Sequence, residues 1–328
     1  MRWPAEWEPH EAVWIGFPGD PNEWPVALED AQREVAAFAN AVSDGGKGEQ
    51  VLLICRSQTD VLVAQDLVEA SIAVELHPFG DIWLRDTGPV ITVDNDMRVA
   101  NLFRFNGWGN KFDMPGDLDI GARLSKSSGL QTITHDWVLE GGAIDGDGSD
   151  WVMTTEQCVL NRNRNSAMDR RRFEQSIGDV FGRKKFCWLG DGLENDHTDG
   201  HVDNLARFVG AGKVAIPESE QINDPNMRIF EDAASRAQQQ GLHVVRLASV
   251  GKYLLDEDVV PASYMNFYVG NKVVAVPQYE ASNDSRILEE ISALFPDRKV
   301  MGLSSKALLR GGGSFHCISQ QIPQHANK

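Results

Sequence analysis

The feature that most constrains the fold is an order of sequence patterns that recurs five times along the chain. Each unit contains a helix pattern, a short apolar strand, a polar turn that often carries glycine, and a hairpin pattern. The five short strands are VELHPF (74–79), QTITHDW (131–137), KKFCWLG (184–190), LHVVRLAS (242–249) and RKVMGLS (298–304). Such a repeat predicts five similar units packed side by side.

The two ends of the chain complete this pattern. The sequence begins with one unpaired strand, AVWIGFP at 12–18, and the fifth unit ends on a single strand, HCISQQIP at 316–323. Pairing of these two strands would close the units into a ring and remove free sheet edges, as in a propeller. We therefore predict a propeller-like α/β fold.

Six stretches have the spacing of apolar residues that is typical of helices, and no linker divides the chain. The predicted helices cover 25–43, 59–70, 116–127, 167–181, 225–239 and 284–294. The glycine-rich SDGGKGEQ at 43–50 is interpreted as one loop. Residues 1–328 are accordingly predicted to form a single domain.

Charge and cysteine content exclude several classes of partner. The chain has 31 Lys and Arg against 48 Asp and Glu, a formal net charge of −17, which disfavours nucleic acid and anionic membranes. No apolar run is long enough to span a membrane, and no signal peptide is recognised. Four widely spaced cysteines fit free thiols in a reducing compartment. We therefore predict a cytoplasmic protein without nucleic-acid or membrane partners.

Chemically reactive residues occupy the turn before the hairpin in every unit. They are Asp86 in DIWLRDTGP, Glu140 in LEGGA, His201 and Asp203 in TDGHVDN, Asn266 in SYMNF and Cys317 in GGGSFHC. Equivalent positions in a ring point toward the same axis, so these side chains are predicted to meet in one channel.

A thiol among carboxylates constrains the substrate. The thiolate is the nucleophilic form of cysteine, and nearby carboxylates oppose its formation. A cationic guanidinium resolves this conflict, because carboxylates accept bidentate bonds from its N–H groups and its charge favours the thiolate. Cys317 would attack the guanidinium carbon, and His201 would protonate the leaving ammonia and then activate water. This chemistry needs neither a metal nor an organic cofactor.

Four long motifs in order resemble one enzyme family. They are WxxRDTGP (83–89), LEGGA (139–143), TDGHVDNxARF (198–208) and GGGxxHCxxQQ (311–321). Together with PAEWEPHEAVW (4–14), they closely resemble the agmatine deiminase family, relatives of the Porphyromonas-type peptidylarginine deiminases. The resemblance covers essentially the whole chain. It implies a five-bladed, pseudo-fivefold α/β propeller of ββαβ units, the pentein fold of the amidinotransferase superfamily.

The same resemblance implies an activity and a role for each motif residue. The reaction is hydrolysis of agmatine to N-carbamoylputrescine and ammonia through a covalent thiouronium-type intermediate. By position, Cys317 matches the nucleophile, His201 the general acid/base, Glu140 the carboxylate that orients the histidine, and Asp86 and Asp203 the guanidinium clamp. Trp83 matches an aromatic residue of the substrate channel. The resemblance also makes a homodimer the expected assembly.

Some positions depart from the family pattern. Ser314 replaces a common Asn, and Arg162 makes the segment NRNRN where NPNRN is usual. The chain is shorter than many family members, which we assign to loops at the amine end of the pocket. Three consecutive glycines still precede Cys317, and Gly311 and Gly312 are predicted to lie close to the substrate.

The alternatives concern the substrate and the fate of the intermediate. A deiminase of arginine or C-terminal peptidyl-arginine would need a cation for the substrate carboxylate, from Arg104, Arg162, Arg164 or Arg310. An amidinotransferase would pass the same thiol intermediate to an amine. A non-catalytic module would only bind guanidino metabolites or polyamines.

Two further histidines lie near these motifs. His197 and His201 would share a face of a strand and could bind a metal ion with Asp199 and Asp203, but the family match explains the segment without one. We therefore predict no metal. His316, beside Cys317 on the predicted last strand, is expected to point to the opposite face and to have a structural role.

Overall fold

Five small mixed sheets form the blades of an α/β propeller. The computed structural model describes residues 1–94 and 97–325. In each sheet two strands are antiparallel, and the strand that follows the helix of the unit lies parallel to its neighbour. Branched and aromatic residues dominate these strands because such side chains pack well on a pleated, half-buried surface. The repeat in the sequence therefore corresponds to a repeat in space.

Four of the sheets are three-stranded and follow one another along the chain. Their strands are Val90–Asp94, Met97–Arg104 and Gln131–Val138; Ile144–Gly146, Trp151–Thr155 and Lys185–Leu189; Arg207–Gly210, Lys213–Glu218 and His243–Ala248; and Tyr268–Val269, Val273–Gln278 and Lys299–Ser304. A small hairpin, Leu254–Leu255 with Asp258–Val259, lies in the chain between the last two sheets.

The remaining sheet contains both ends of the fold. Its strands, in spatial order, are Ser319–Pro323, His10–Gly16, Gln50–Cys55 and Ala73–Leu76. The last strand runs antiparallel to the first, with Trp14 opposite Gln320. This pairing confirms the predicted closure of the ring.

The last strand is shorter than predicted, because it begins at Ser319 instead of His316. The backbone N–H of His316 donates to the carbonyl of Asn266, and that of Ile318 donates to the carbonyl of Ser314. These bonds hold the segment in a turn, so His316 and Cys317 do not alternate across a strand. The predicted position of His316 on the last strand is therefore wrong.

Six long helices cover the sheets at the predicted positions. They are Leu28–Ser43, Gln58–Leu67, Asp117–Ser127, Arg170–Phe181, Met227–Gln239 and Asp284–Leu294. Two of them have a side-chain cap at the N-terminus: Ser57 accepts from the N–H of Asp60, and Asp169 accepts from the N–H of Arg172. Gly182 ends the helix that Asp169 begins, with φ of +69°. In the described parts of the chain, no helix is long and apolar enough to cross a membrane.

Apolar cores lie between each sheet and its helices. Around the closing sheet, for example, the stacked rings of Phe38 and Phe315 have centroids 4.8 Å apart, and Tyr268 packs edge-on against Phe38. Cys55, Cys158 and Cys187 are buried free thiols, as predicted. Burial raises the pKa of Cys55 and of Cys187 to about 12, which keeps both thiols protonated and unreactive.

Short helical segments begin the hairpins and surround the axis of the ring. They are Leu84–Thr87, the 3₁₀ turn Gly141–Ala143, Val202–Leu205 and the 3₁₀ turn Tyr264–Asn266, and consecutive members of this set contact one another. The turn before the last strand completes the circle. Other short helices are Gly107–Asn110, Glu156–Val159, Lys306–Arg310 and the 3₁₀ turn Asp44–Gly46.

Candidate active site

The turns at the axis bring the predicted site residues together. The Nδ2 of Asn266 lies 2.9 Å from the Sγ of Cys317, and this sulfur lies 3.5 Å from Oδ2 of Asp203. On the other side, Nδ1 of His201 lies 3.7 Å from Oδ2 of Asp86. These side chains are almost fully buried. The prediction that matching turn positions converge is borne out by these distances.

Cys317 is held by the amide of Asn266. The Oδ1 of Asn266 accepts from the backbone N–H groups of His316 and Cys317, while its Nδ2 donates to the sulfur. Burial, followed by the carboxylates of Asp203 and Asp86, raises the pKa of Cys317 well above its usual value. The free site therefore contains a thiol, and a cation beside it would favour the thiolate.

The two aspartates face the site with different partners. Asp86 accepts from Nε1 of Trp108 and from the N–H of Gly142, each at 2.9 Å. Asp203 accepts at Oδ2 from Nδ1 of His316, 2.7 Å away. Among the described residues, Oδ1 of Asp203 has no hydrogen-bond partner. One buried carboxylate oxygen is thus available to a ligand.

His201 lies between Asp86 and Glu140. Burial alone would lower the pKa of His201, but Asp86, the neighbouring Cys158 and Glu140 together outweigh it and hold this pKa well above its usual value. Glu140 does not bond His201 directly: its Oε1 accepts from Nε of Arg164 at 2.7 Å. Neither ring nitrogen of His201 has a partner in the described chain. The imidazolium is therefore held by charge and leaves its N–H groups to a ligand.

Gly142 permits this close approach of charged groups. A Cβ added there would lie 2.6 Å from Nδ1 of His201, 2.9 Å from Oδ1 of Asp86 and 3.0 Å from Oδ2 of Asp203. The first two separations are shorter than real Cβ atoms show, and the third is tighter than most. The second glycine of LEGGA is therefore required by the packing of the site.

A cavity of about 190 Å³ opens above the sulfur of Cys317. The aromatic rings of Trp24, Trp83 and Trp108 form much of its wall, and Gly311 and Gly312 also line it. A Cβ on Gly311 would lie 2.5 Å from the ring of Trp24 and 2.9 Å from that of Trp83. Glycine at this position thus keeps the aromatic slot open.

The outer part of the cavity is lined by polar residues. Glu23, His197 and Arg310 are exposed lining residues, and the half-buried Asp81 also lines the cavity. Asp81 accepts from Nε1 of Trp83 at 2.7 Å, and burial raises the pKa of its carboxyl group to about 7. Arg310 donates to Asp256 at 2.9 Å. Acidic groups therefore outnumber the cation at this end.

Of the four arginines considered for a substrate carboxylate, only Arg310 lines this cavity. The guanidinium of Arg164 is buried and bonded to Glu140, Asp199 and the carbonyl of Thr198. Arg104 pairs with Asp136 in a different surface groove, and Arg162 is exposed outside the cavity. Tertiary structure thus leaves one of the four arginines as a possible partner for a substrate carboxylate.

The segment that holds His197 and His201 is not the strand that a two-histidine metal site would require. Asp199 and Gly200 have φ of +62° and +88°, so the segment between the histidines is a tight turn. His197 is exposed at the cavity, whereas His201 is buried. A different group, Glu140, Cys158 and His201, brings potential ligand atoms within 4.8 Å of one another. A cation bound there would compete with Arg164 for Glu140.

Several neighbours of the site were not found from the sequence. Trp108 bonds Asp86, Arg164 bonds Glu140, and Cys158 lies beside His201. Trp108 stands in a left-handed turn with φ of +51°, which no periodic pattern reveals. The only available signal was the cluster of turn residues in FNGWGN (105–110).

Comparison with known proteins gives a consistent result. The family model of the Porphyromonas-type peptidyl-arginine deiminases matches residues 2–323. A curated relative from Lactococcus lactis is 32% identical, covering 99% of this chain and 96% of its own.

Solved structures agree with this match. The structure described as agmatine deiminase of Enterococcus faecalis catalysing its reaction has a TM-score of 0.92 and 31% identity, covering 99% of this chain and 96% of that one. A C. jejuni agmatine deiminase variant with substrate bound has a TM-score of 0.91 and 29% identity, with the same coverage. The chain thus belongs to the Porphyromonas-type peptidyl-arginine deiminase family.

Proposed function

We propose that this protein is an agmatine deiminase, which hydrolyses agmatine to N-carbamoylputrescine and ammonia. The observation that carries the proposal is the buried thiol of Cys317 at the base of an aromatic cavity, flanked by Asp86 and Asp203. The similarity to proteins named agmatine deiminase over 99% of the chain supports the same reaction.

The guanidinium binds between the two aspartates in this mechanism. The free oxygen of Asp203 accepts N–H bonds, and Asp86 offers a second carboxylate already oriented by Trp108. The positive charge of the substrate then offsets the carboxylates that oppose ionisation of Cys317. Reactivity is therefore assembled when substrate binds.

The covalent steps follow from this arrangement. The thiolate of Cys317 forms a bond to the guanidinium carbon, giving a tetrahedral adduct. His201 transfers a proton to the departing nitrogen, the C–N bond breaks, and ammonia leaves a thiouronium on the sulfur. His201 then removes a proton from a water molecule, whose oxygen bonds to the same carbon. As the C–S bond breaks, the hydroxyl proton of this second adduct passes to the sulfur, which releases the ureido product and returns the thiol; the proton that the thiol lost when substrate bound goes to solvent.

Glu140 acts on His201 from a short distance in this scheme, through charge and not through a hydrogen bond. Its carboxylate is fixed by Arg164, so it presents a constant negative charge to the imidazolium. Trp83 packs against the guanidinium or the alkyl chain. Gly311 and Gly312 allow the substrate chain to pass close to the backbone.

The outer end of the cavity favours a substrate that ends in an amine. Glu23 and Asp81 line it, and carboxylates stabilise an ammonium group. A substrate that ends in a carboxylate has Arg310 as its partner, but this guanidinium is bonded to Asp256. Arginine and C-terminal peptidyl-arginine are therefore the second candidates.

The test is detection of ureido product from the purified protein offered agmatine, free arginine and a blocked arginine peptide, with Cys317→Ala as control. Agmatine turnover that disappears in the control is expected. Turnover of arginine alone would move the proposal to the second candidate. Product formed only when an acceptor amine is supplied, without ammonia release, would identify an amidinotransferase. Binding without turnover of any compound would identify a binding module.

We also propose that residues 1–328 act as one catalytic domain, in the cytoplasm and as a homodimer. A single family model matches residues 2–323, which supports a single unit. Light scattering during size-exclusion chromatography tests the assembly, since a dimer has twice the mass of the 36.3 kDa chain. Cell fractionation tests the location.

A further inference from the structure

A chain of buried charged groups lies behind Asp203, on the side away from the cavity. Glu6, from the segment before the first strand, reaches the axis and is 6% exposed. Its Oε2 lies 2.8 Å from Nε2 of His316, and Nδ1 of the same imidazole lies 2.7 Å from Oδ2 of Asp203. The order Glu6, His316, Asp203 is called the relay below, and it ends 3.5 Å from the sulfur of Cys317.

The geometry of the relay determines its proton content. A carboxylate oxygen only accepts hydrogen bonds, and each nitrogen of His316 faces one. Both nitrogens of His316 can donate only if each carries a proton. A neutral imidazole has one N–H group, so the relay must contain one additional proton. An imidazolium between two carboxylates satisfies this requirement.

With the His201–Asp86 pair set aside, the charges around the relay balance when His316 is a cation. The ionisable groups that face it come from the N-terminal segment and from four other elements: Glu6, Arg85, Asp145, His201, Asp203, Arg207 and Cys317. Apart from His201 and Cys317, which belong to the reacting centre, these are three carboxylates and two guanidinium groups. An imidazolium at His316 makes the buried cluster neutral, which burial strongly favours.

We infer that His316, held by Glu6, is a positioning residue that keeps Asp203 ionised in the free enzyme and turns its Oδ1 toward the guanidinium of the substrate. This inference rests on the proposed function only for the identity of the ligand. Because His316 occupies Oδ2, the oxygen without a partner is the one left for N–H groups.

The contrast between the two aspartates supports the inference. Burial raises the pKa of Asp86 above its usual value. Asp203 is also buried, yet the hydrogen bond and charge of His316, with smaller contributions from His201 and Arg207, outweigh burial and hold its pKa below the usual value. The imidazolium of His201 lies 3.7 Å from Asp86 and is not hydrogen-bonded to it; the hydrogen bonds of Asp86 come from Trp108 and Gly142. The relay thus accounts for an ionised carboxylate in the interior.

The experiment compares pH profiles of kcat/KM for wild type and His316→Asn. The asparagine amide nitrogen takes about the position of Nδ1, so it can still donate to Asp203 but carries no charge. An opposite charge at this distance lowers a carboxyl pKa by about 1–3. We therefore expect the acid limb of the profile to move up by about 1–3 pH units, with most activity recovered at high pH. Glu6→Gln should shift it in the same direction.

A matched control exists elsewhere in the chain. His10 and Glu49 form a second buried pair, with Nδ1 and Oε1 3.2 Å apart, outside the site. Glu49→Gln removes the same charge and is expected to lower thermal stability without moving the pH profile. An unchanged acid limb in His316→Asn, or a loss of activity equal at every pH, would overturn the inference.

A measurement without substrate separates this inference from the proposed function. Carboxyl ¹³C NMR of the free protein, with Asp203→Asn to assign the signal, reports the ionisation of Asp203 directly. Titration of Asp203 at higher pH in His316→Asn or Glu6→Gln than in wild type supports the relay, even if no guanidino compound is turned over. Identical titration in the variants and wild type overturns it.

Discussion

The substitution Gly142→Ala tests the packing of the site most directly. The added methyl group would lie 2.6 Å from Nδ1 of His201. The two atoms must move apart by about 0.8 Å to reach 3.4 Å, where ordinary van der Waals contact begins. The same methyl group crowds Asp86 and Asp203, so no single side chain can move aside without disturbing another. A misplacement of about 1 Å costs roughly 100-fold in rate. We therefore expect kcat/KM to fall about 100-fold, which corresponds to ~2.7 kcal/mol of transition-state stabilisation.

Two measurements are needed for this variant. Initial rates of ureido formation give the loss of activity, and a thermal or urea unfolding curve gives the loss of stability. Overpacking should cost about 1–3 kcal/mol of stability, so the variant still folds. Gly210→Ala is the matched control, because the nearest atom to its added Cβ is Cβ of Lys213 at 3.7 Å. The control should retain wild-type activity. A Gly142→Ala enzyme within threefold of wild type in kcat/KM would refute the reasoning.

Three further outcomes are expected. Cys317→Ala should lose turnover but still bind agmatine by calorimetry, whereas Asp203→Ala should lose binding as well; full turnover in the Cys317 variant would contradict the covalent mechanism. Because burial raises the pKa of Asp81 to about 7, its carboxyl becomes neutral as the pH falls through that value, and KM for agmatine should rise there. Asp81→Asn should remove this dependence, and a wild-type KM that is flat from pH 6 to pH 8 (about one unit either side of the pKa) would argue against Asp81 as the ammonium partner. Exhaustive chelation should leave the rate unchanged, and a loss restored by zinc would assign a metal to Glu140, Cys158 and His201.

Much of the fold could be predicted from the chain because its units are local. Each helix and strand has its own regular spacing of apolar residues, and this spacing does not depend on the neighbouring units. The predicted closure of the ring followed from counting strands at the two ends, and Trp14 does lie opposite Gln320. Predictions failed where backbone N–H groups bond across elements, as at His316 with Asn266.

The reactive residues could be predicted for a related reason. Repetition places Asp86, Glu140, His201 and Cys317 at matching turns, and matching turns of a ring share an axis. Their chemical types then restrict the ligand to a cation that a thiol can attack. Neither step requires knowledge of which side chains touch.

The partners of these residues were decided by tertiary structure alone. Arg164 was one of four possible carboxylate-binding cations in the sequence, but packing commits it to Glu140 and leaves Arg310 at the cavity. Glu6 and His316 stand at opposite ends of the chain, and closure of the ring brings them to 2.8 Å. Sequence patterns record periodicity within an element, whereas burial and pairing of charges depend on which elements meet. For this protein, the sequence by itself determined the ring and its reactive groups, and the packing of the blades determined how each group is oriented and charged.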